Sequence, residues 1–344
     1  MRAVTIAPRR KGSLELSEVA EPVRGKDEVL VQTLAVGVCG TDRELIDGHY
    51  GEAPAGQSRL VLGHESLGRV LDPGTSNLAR GDLVVGIVRH PDPEPCVNCA
   101  AGEWDMCRNG RYTEHGIKGL NGFASQFFTI EEEMLVKIEK DLGFLGVLLE
   151  PATVLAKAWE HIEHIGRRAK WAPRRVLVTG AGPVGFMGAL MGVQRGLEVH
   201  LQDHNRNEPK PSLASRLGAA YHTSRPRLEF DVEIECSGAP EVVAQMLEAA
   251  TPDRVVCLTG LSPGDHAQAL QIAPFNQRMV LGNQAVFGSV NANRRHYEAA
   301  AKALAKADMN WLSNLITRKV SLDRWMEAYE KRNGDVKTVL LFED

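Results

Sequence analysis

Apolar positions along this chain follow two patterns in turn. Up to about residue 150 they come in short, β-branched runs, such as Arg2–Ala7, Glu28–Val36 and Asp82–Val88, punctuated by Pro22, Gly25, Pro73, Gly74 and Gly81. This predicts a compact, barrel-like β domain. From Gly146 to Gly166 the spacing changes. Leu148, Leu149, Val154, Leu155, Ala158, Ile162 and Ile165 recur as on one helix face, with Trp159, His161 and His164 as packing or surface residues. Strands then alternate with helices: Arg175–Thr179, Glu198–Gln202, Asp231–Cys236, Arg254–Thr259 and Ala285–Val290. That alternation predicts an α/β unit with a doubly wound parallel sheet, which binds its ligand at the carboxyl ends of the strands. Cys236 and Cys257 lie inside apolar strands and are expected in the core. After residue 290 the pattern predicts a helix over 291–307, a short strand at Arg318–Val320 and a helix from Ser321 to Lys331. A last strand, Val336–Phe342, is expected to return to the N-terminal β domain.

Composition adds boundaries. A chain of 344 residues, 43% hydrophobic and 24% charged, suits two soluble domains. A net charge of -4 gives no basis for binding nucleic acid or an anionic membrane. The apolar run at the N-terminus is too short for a signal peptide, and no stretch is expected to reach the roughly 18 apolar residues of a membrane span. Six cysteines without a secretory signal point to metal or redox chemistry, in a cytoplasmic protein.

The chemistry gathers around Val61-Leu-Gly-His-Glu65. With Cys39-Gly-Thr-Asp42 upstream and Leu149-Glu150-Pro151 downstream, the chain holds the Cys, His and carboxylate ligand types of a catalytic zinc. Such an ion stabilises an alkoxide and so acidifies a hydroxyl. Cys96 and Cys99 form a C-x2-C knuckle with Cys107 eight residues on, the signature of a structural zinc. Asp92, Glu94, Asp105, Glu114 and His115 are the local candidates for a fourth ligand, and a loop that has lost its metal is the alternative. Glu114 and His115 otherwise read as solvated loop residues. Gly180-Ala-Gly182-Pro183-Val184-Gly185 follows a strand and opens a helix, and Asp203 ends the next strand, which makes a dinucleotide fingerprint. Asp203 favours NAD by accepting the ribose diol, while His204 and Arg206 leave NADP open.

These residues together resemble the zinc-dependent medium-chain dehydrogenases. Within them the chain is most similar to the archaeal-type glucose dehydrogenases, through Val38-Cys-Gly-Thr-Asp-Arg43, Val88-Arg-His-Pro91, Glu114-His-Gly-Ile117, Arg278-Met-Val-Leu-Gly-Asn283, Gly288-Ser-Val-Asn291 with His296-Tyr297, and Gly334-Asp-Val-Lys-Thr338. The resemblance implies a GroES-like catalytic domain over residues 1–152 and 290–344 and a Rossmann domain over 153–289. It implies that Cys39, His64 and Glu65 hold the catalytic zinc, with Glu150 bound directly or through water, and that a second, structural zinc sits in the cysteine lobe. Pro93 stands where the family has the lobe's first cysteine. Thr41, Glu114, Glu150, Asn291 and His296 match sugar-contacting positions, and Thr41 and His49 match a proton relay. Gly180, Gly182, Pro183, Val184, Gly185, Asp203, Arg206, Ser237, Gly260, Ser289 and Asn291 match cofactor-binding positions. The expected reaction is oxidation of a glucose-like aldose at C1 to its lactone, with hydride passing to NAD or NADP. The subgroup often uses NADP and often lacks an acid after the second strand, so Asp203 implies a shift toward NAD. Another polyol or secondary alcohol, the reverse reduction, or a non-catalytic nucleotide-binding protein are the alternatives. A homo-oligomer, dimer or tetramer, is expected, with the strand near Ala285–Val290 at an edge that can pair between subunits.

Overall fold

The computed structural model describes residues 1–249, 251–262 and 267–343. The chain divides into two units, Met1–Glu150 with Asn291–Asp344, and Pro151–Val290.

In the first unit the strand Glu28–Val38 is the spine of a seven-stranded sheet, pairing antiparallel with Glu65–Asp72, Phe127–Glu131 and Lys337–Leu341. Its early residues alternate between buried and half-exposed, whereas Ala35–Val38 are buried on both faces. The strand therefore enters the core at the end that leads to Cys39. The C-terminal strand does return to the N-terminal sheet. Two three-stranded sheets flank this one, Glu15–Glu18 with Arg2–Ile6 and Leu60–Val61, and Arg89–His90 with Thr113–His115 and Gly119–Leu120.

Three expectations need correction here. Glu114 and His115 are not solvated: each is 8% exposed, on a strand paired with Arg89–His90, and the His115 ring packs 4.6 Å from that of Phe123. The segment Ser321–Lys331 is not one helix. Ile316–Ser321 is a strand held parallel to Lys337–Leu341, followed by a 3-10 turn at Leu322–Arg324 and one helical turn at Met326–Tyr329. The strand expected at Arg318–Val320 lies within this pairing, which takes only Ser321 from the expected helix. The stretch Lys140–Gly166 is long and apolar enough by composition to cross a membrane, and 72% of that apolar window is buried inside the protein.

The second unit is a six-stranded parallel sheet. Numbered along this unit, its strands run 3-2-1-4-5-6, from Ala220–His222 through Glu198–Gln202, Arg175–Thr179, Val232–Glu235 and Val255–Leu258 to Ala285–Gly288. This is the doubly wound dinucleotide-binding order, with its reversal between Arg175–Thr179 and Val232–Glu235. The helix Pro183–Gln194 is buried from Gly185 to Gly192, all round rather than on one face. It is pressed inward through small residues: a Cβ at Gly188 would stand 3.0 Å from Leu155, and one at Gly192 3.0 Å from Val199. Cys257 and Trp159 are core residues, and Cys236 is half-buried.

Candidate metal centres and cofactor loops

Cys39 ends the spine strand and caps the short helix Gly40–Ile46. Its backbone N–H donates to Asp42 Oδ2 at 2.8 Å, while Asp42 Oδ1 faces His64 Nδ1 at 3.5 Å. One buried carboxylate thus aligns two candidate ligands, and an imidazole whose Nδ1 faces a carboxylate presents Nε2 as its metal donor. His64 follows Gly63, where φ is +85° and a Cβ would stand 2.7 Å from Val36 Cγ1. Only glycine fits that turn. Glu65 opens its strand directly opposite Gly37, and a Cβ on Gly37 would lie 2.0 Å from Glu65 Oε2. The missing side chain at 37 is the space in which the carboxylate sits.

The ligand atoms of Cys39, His64 and Glu65 lie within 4.8 Å of one another, close enough for a tetrahedral zinc. Burial opposes a charged His64, but Asp42 and then Cys39 outweigh it and hold the imidazole well above its ordinary pKa. Lys337, 1% exposed, ion-pairs with Glu65 Oε2 and donates to Val38 O at 3.2 Å. Burial works against its charge too, and Glu65 and Cys39 reverse that and raise its pKa. Glu150 is outside this triad of donors but inside its field. Burial, then the charges of Glu65 and Asp42, push its carboxyl up to about 7 against the pull of His64 and Lys337.

The same unit holds a second set of polar side chains. The buried Tyr297 hydroxyl accepts from Val88 N–H at 3.2 Å, and burial together with the charges of Glu150, Glu65 and Glu114 holds its pKa well above the ordinary value. Glu114 Oε1 accepts from Arg89 Nε at 3.0 Å and Asn291 Nδ2 at 2.8 Å. Asn291, expected at both cofactor and substrate, is paired here with the substrate candidate Glu114. His296 is fully buried, and its Nδ1 accepts from Asn293 N–H at 3.1 Å. Thr41 hydrogen-bonds the side chain of Tyr50, whose hydroxyl donates to Glu44 Oε2 at 2.9 Å, and His49 is exposed.

In the cysteine lobe the sulfurs of Cys96, Cys99 and Cys107 also lie within 4.8 Å of one another. Cys96 Sγ accepts from the backbone N–H of Cys99 at 3.5 Å and of Arg108 at 3.4 Å, and these bonds bring its thiol down to about 6. A thiolate cradled by amides is the form that binds metal. None of the five candidates for a fourth ligand joins this group. Asp92 is taken up by Glu94 N–H and Asn109, Glu94 by Arg111, and Asp105 Oδ1 by Asn293. Glu114 is held by Arg89 and Asn291, and His115 by Asn121 O at 2.7 Å and His90 at 3.0 Å.

In the second unit the cofactor candidates gather at the carboxyl ends of the strands. Gly180 follows Thr179, Ser237 and Gly238 follow the strand ending at Glu235, Gly260 follows Leu258, and Ser289 follows Gly288. The glycine loop fits a pyrophosphate. A Cβ at Gly185 would strike Gly180 O at 1.8 Å, while Gly182 has nothing within 4 Å and leaves its backbone open to a ligand. Pro183 and Val184 start the helix, whose N-terminus attracts anions. Asp203 is mostly buried, and Arg206 is exposed on the loop that follows.

Sequence reasoning assigned no role to Asp42, Lys337 or Glu235. Glu235 accepts from Ser237 N–H at 2.7 Å and Gly238 N–H at 3.1 Å, pinning the loop where a cofactor would lie. The available signal was a charge inside an apolar strand, as in Val336-Lys-Thr-Val-Leu-Leu341 and Val232-Glu-Ile-Glu235, because a buried charge requires a partner.

Known proteins match this arrangement along its whole length. The family described as alcohol dehydrogenase GroES-like domain matches residues 25–140, and that described as glucose dehydrogenase C-terminus matches residues 143–342. A glucose 1-dehydrogenase of Methanocella arvoryzae is 37% identical over 99% of both chains, and one of Thermoproteus tenax 39% over 99% of both. A Haloferax mediterranei glucose dehydrogenase solved with NADP, Zn and gluconolactone superposes with a TM-score of 0.92, at 32% identity and full coverage of both chains. By ligand set, sheet order and these likenesses, the chain belongs to the glucose-dehydrogenase family of zinc-dependent medium-chain dehydrogenases.

Proposed function

We propose that this protein oxidises a glucose-like aldose at C1 to the lactone, with zinc and NAD(P). The observation that carries the reading is the largely buried Cys39–His64–Glu65 cluster in the same unit as the hydrogen-bonded Glu114–Asn291 pair. Zinc held by Cys39, His64 and Glu65 supplies a Lewis acid for the sugar hydroxyl, and the nicotinamide supplies the hydride acceptor. Asp42 holds Cys39 and His64 in register, and Lys337 balances the charge of Glu65. Glu150, poised near neutral pH, accepts a hydrogen bond from the sugar and is available as a further ligand. Glu114, held by Arg89, and Asn291, held by Glu114, orient the other hydroxyls, and His296 is a further sugar contact. Thr41 takes the proton of the reacting hydroxyl and passes it outward to His49, with Tyr50 holding the Thr41 hydroxyl in place. Gly180–Gly185, Asp203, Arg206, Ser237, Gly260 and Ser289 line the cofactor site. Cys96, Cys99 and Cys107 hold a structural zinc whose fourth ligand comes from solvent.

The protein acts in the cytoplasm as a homo-oligomer. The strand Ala285–Gly288 is a sheet edge, and the neighbouring helix Ile272–Leu281 has no buried residue and exposes Ile272, Val280 and Leu281. The deciding experiment follows reduced nicotinamide in the presence of an aldose panel, with NAD or NADP, before and after chelation and zinc readdition. Zinc-dependent turnover of glucose-like aldoses is expected. Turnover of simple alcohols but not aldoses would sink the sugar assignment.

A further inference from the structure

Asp105 stands in the 3-10 turn Trp104–Met106 of the cysteine lobe and is 3% exposed. It is bonded to two residues from outside the lobe. Its backbone carbonyl accepts from Arg89 Nη1 at 3.0 Å, and its Oδ1 accepts from Asn293 Nδ2 at 2.8 Å. Arg89 and Asn293 are themselves buried, so neither bond has water as a ready substitute.

Each of these partners holds a residue expected at the sugar. Arg89 aims Nε and Nη2 at Glu114 Oε1, at 3.0 and 2.9 Å, and Asn291 Nδ2 reaches the same oxygen at 2.8 Å. None of these three bonds uses Oε2. The guanidinium is fixed on its other sides, because its carbon lies 3.8 Å from the centre of the Tyr112 ring and Nη1 is bonded to Asp105. Asn293 caps the helix Arg294–Ala305, and its N–H donates to His296 Nδ1 at 3.1 Å. A neutral imidazole that accepts at Nδ1 carries its proton on Nε2. One lobe residue thus braces the supports of both Glu114 and His296.

We propose that Asp105 is a positioning residue for the sugar. It sets the aim of Glu114 through Arg89 and of His296 through Asn293, and so governs sugar affinity and the choice among hydroxyls without touching the substrate. The cysteine lobe then serves as the template of the sugar site as well as a metal holder. The proposal rests on the dehydrogenase reading above, in which Glu114, Asn291 and His296 contact the sugar, and deepens it. Contacts to hydroxyls that do not react are made alike before and in the transition state, so their loss appears in KM rather than in kcat.

The test uses the full-length, zinc-loaded protein. It measures kcat and KM for the preferred aldose and its monodeoxy analogues, with cofactor Kd, zinc content and thermal midpoint for each variant. Asp105→Ala should raise the aldose KM by about tenfold or more, keep kcat within about threefold, and shrink the KM penalty that the wild type shows against the deoxy analogues. Asp105→Asn, which still accepts from Asn293, should stay within about threefold of the wild type. Asn293→Ser keeps a helix-capping side chain but loses the Nδ2 donor. It should move KM in the same direction, with the double variant no worse than Asp105→Ala alone. An unchanged KM and unchanged deoxy penalties in Asp105→Ala and Asn293→Ser overturn the proposal while leaving the dehydrogenase reading standing. Lost zinc, a lost fold or equal losses of sugar and cofactor affinity in Asp105→Ala, with Asn293→Ser like the wild type, also overturn it, since Asp105 would then only support the fold. A wild type that turns over no aldose overturns both.

Discussion

The cysteine lobe draws its three sulfurs from residues 96–107, and backbone amides of the same loop hold Cys96 in its thiolate form. The Cys39–His64–Glu65 cluster draws its donors from two strand ends and its support from Asp42 and from Lys337, which lies 272 residues from Glu65 along the chain. In the lobe only Cys99 is buried and two backbone amides hold Cys96, whereas in the other cluster His64 and Glu65 are buried beside the charges of Asp42 and Lys337, with Cys39 half-buried. Local chain geometry suffices for a site whose task is to hold an ion in place. A site that must alter the protonation of its substrate needs opposed charges in low dielectric, and only distant segments packed together supply them.

The sharpest way to break this contrast is Cys39→Ala. Turnover should fall by more than about a thousandfold, and zinc analysis should show loss of one ion with the lobe's retained. Loss of both ions would mean that the clusters are not independent.

Lys337→Met comes next. It leaves Glu65 as an uncompensated buried charge, which costs about 3–5 kcal/mol. Urea unfolding of the zinc-free protein measures this, and adding Glu65→Gln should restore most of it. A cost below about 1 kcal/mol for the single change would show that the pair is not the buried support described above.

On either side of the cysteine lobe in sequence stand His90 and His115, paired with each other at 3.0 Å, where burial lowers the pKa values to about 4 and about 3. Both are depressed below the ordinary imidazole value, so the folded state binds fewer protons than the unfolded one. Their stabilisation is present above about pH 6.5 and is lost as the pH falls toward 4, by about 3 kcal/mol for His90. Denaturant unfolding at pH 7 and at pH 5 checks this, and His90→Asn should flatten the dependence. A wild-type stability unchanged between those pH values would contradict the burial of the pair.

Cys107→Ser is expected to act least on chemistry. The lobe should lose its zinc and the thermal midpoint should drop by several degrees, with turnover at 25 °C kept within about threefold. A large loss of turnover would make the lobe part of the reactive site.

Much of this was readable from residues alone because it is local. The C-x2-C knuckle brings its sulfurs together by its own turn, and Gly180–Gly185 shows by composition that a backbone must come close to a phosphate. The strands of the second unit announce themselves through unbroken apolar runs. Lys337 was less legible, since a lysine within an apolar strand has the same local signature whether it faces solvent or a buried Glu65. Glu114 read as a loop residue because its burial depends on Arg89–His90 across the sheet and on Asn291, far along the chain. Ser321–Lys331 read as one helix because the break between its turns at Leu322–Arg324 and Met326–Tyr329 leaves no trace in the segment's own spacing.

The sequence by itself determined the ligand types, the dinucleotide fingerprint and the division into a β-rich and a doubly wound unit, since each follows from residue identity and short-range periodicity. The tertiary structure decided which charges meet. It set Asp42 between Cys39 and His64, Lys337 against Glu65, and Lys210 against Asp203. Electrostatic character depends on distance and burial rather than on order along the chain, and those two quantities exist only once the chain has folded.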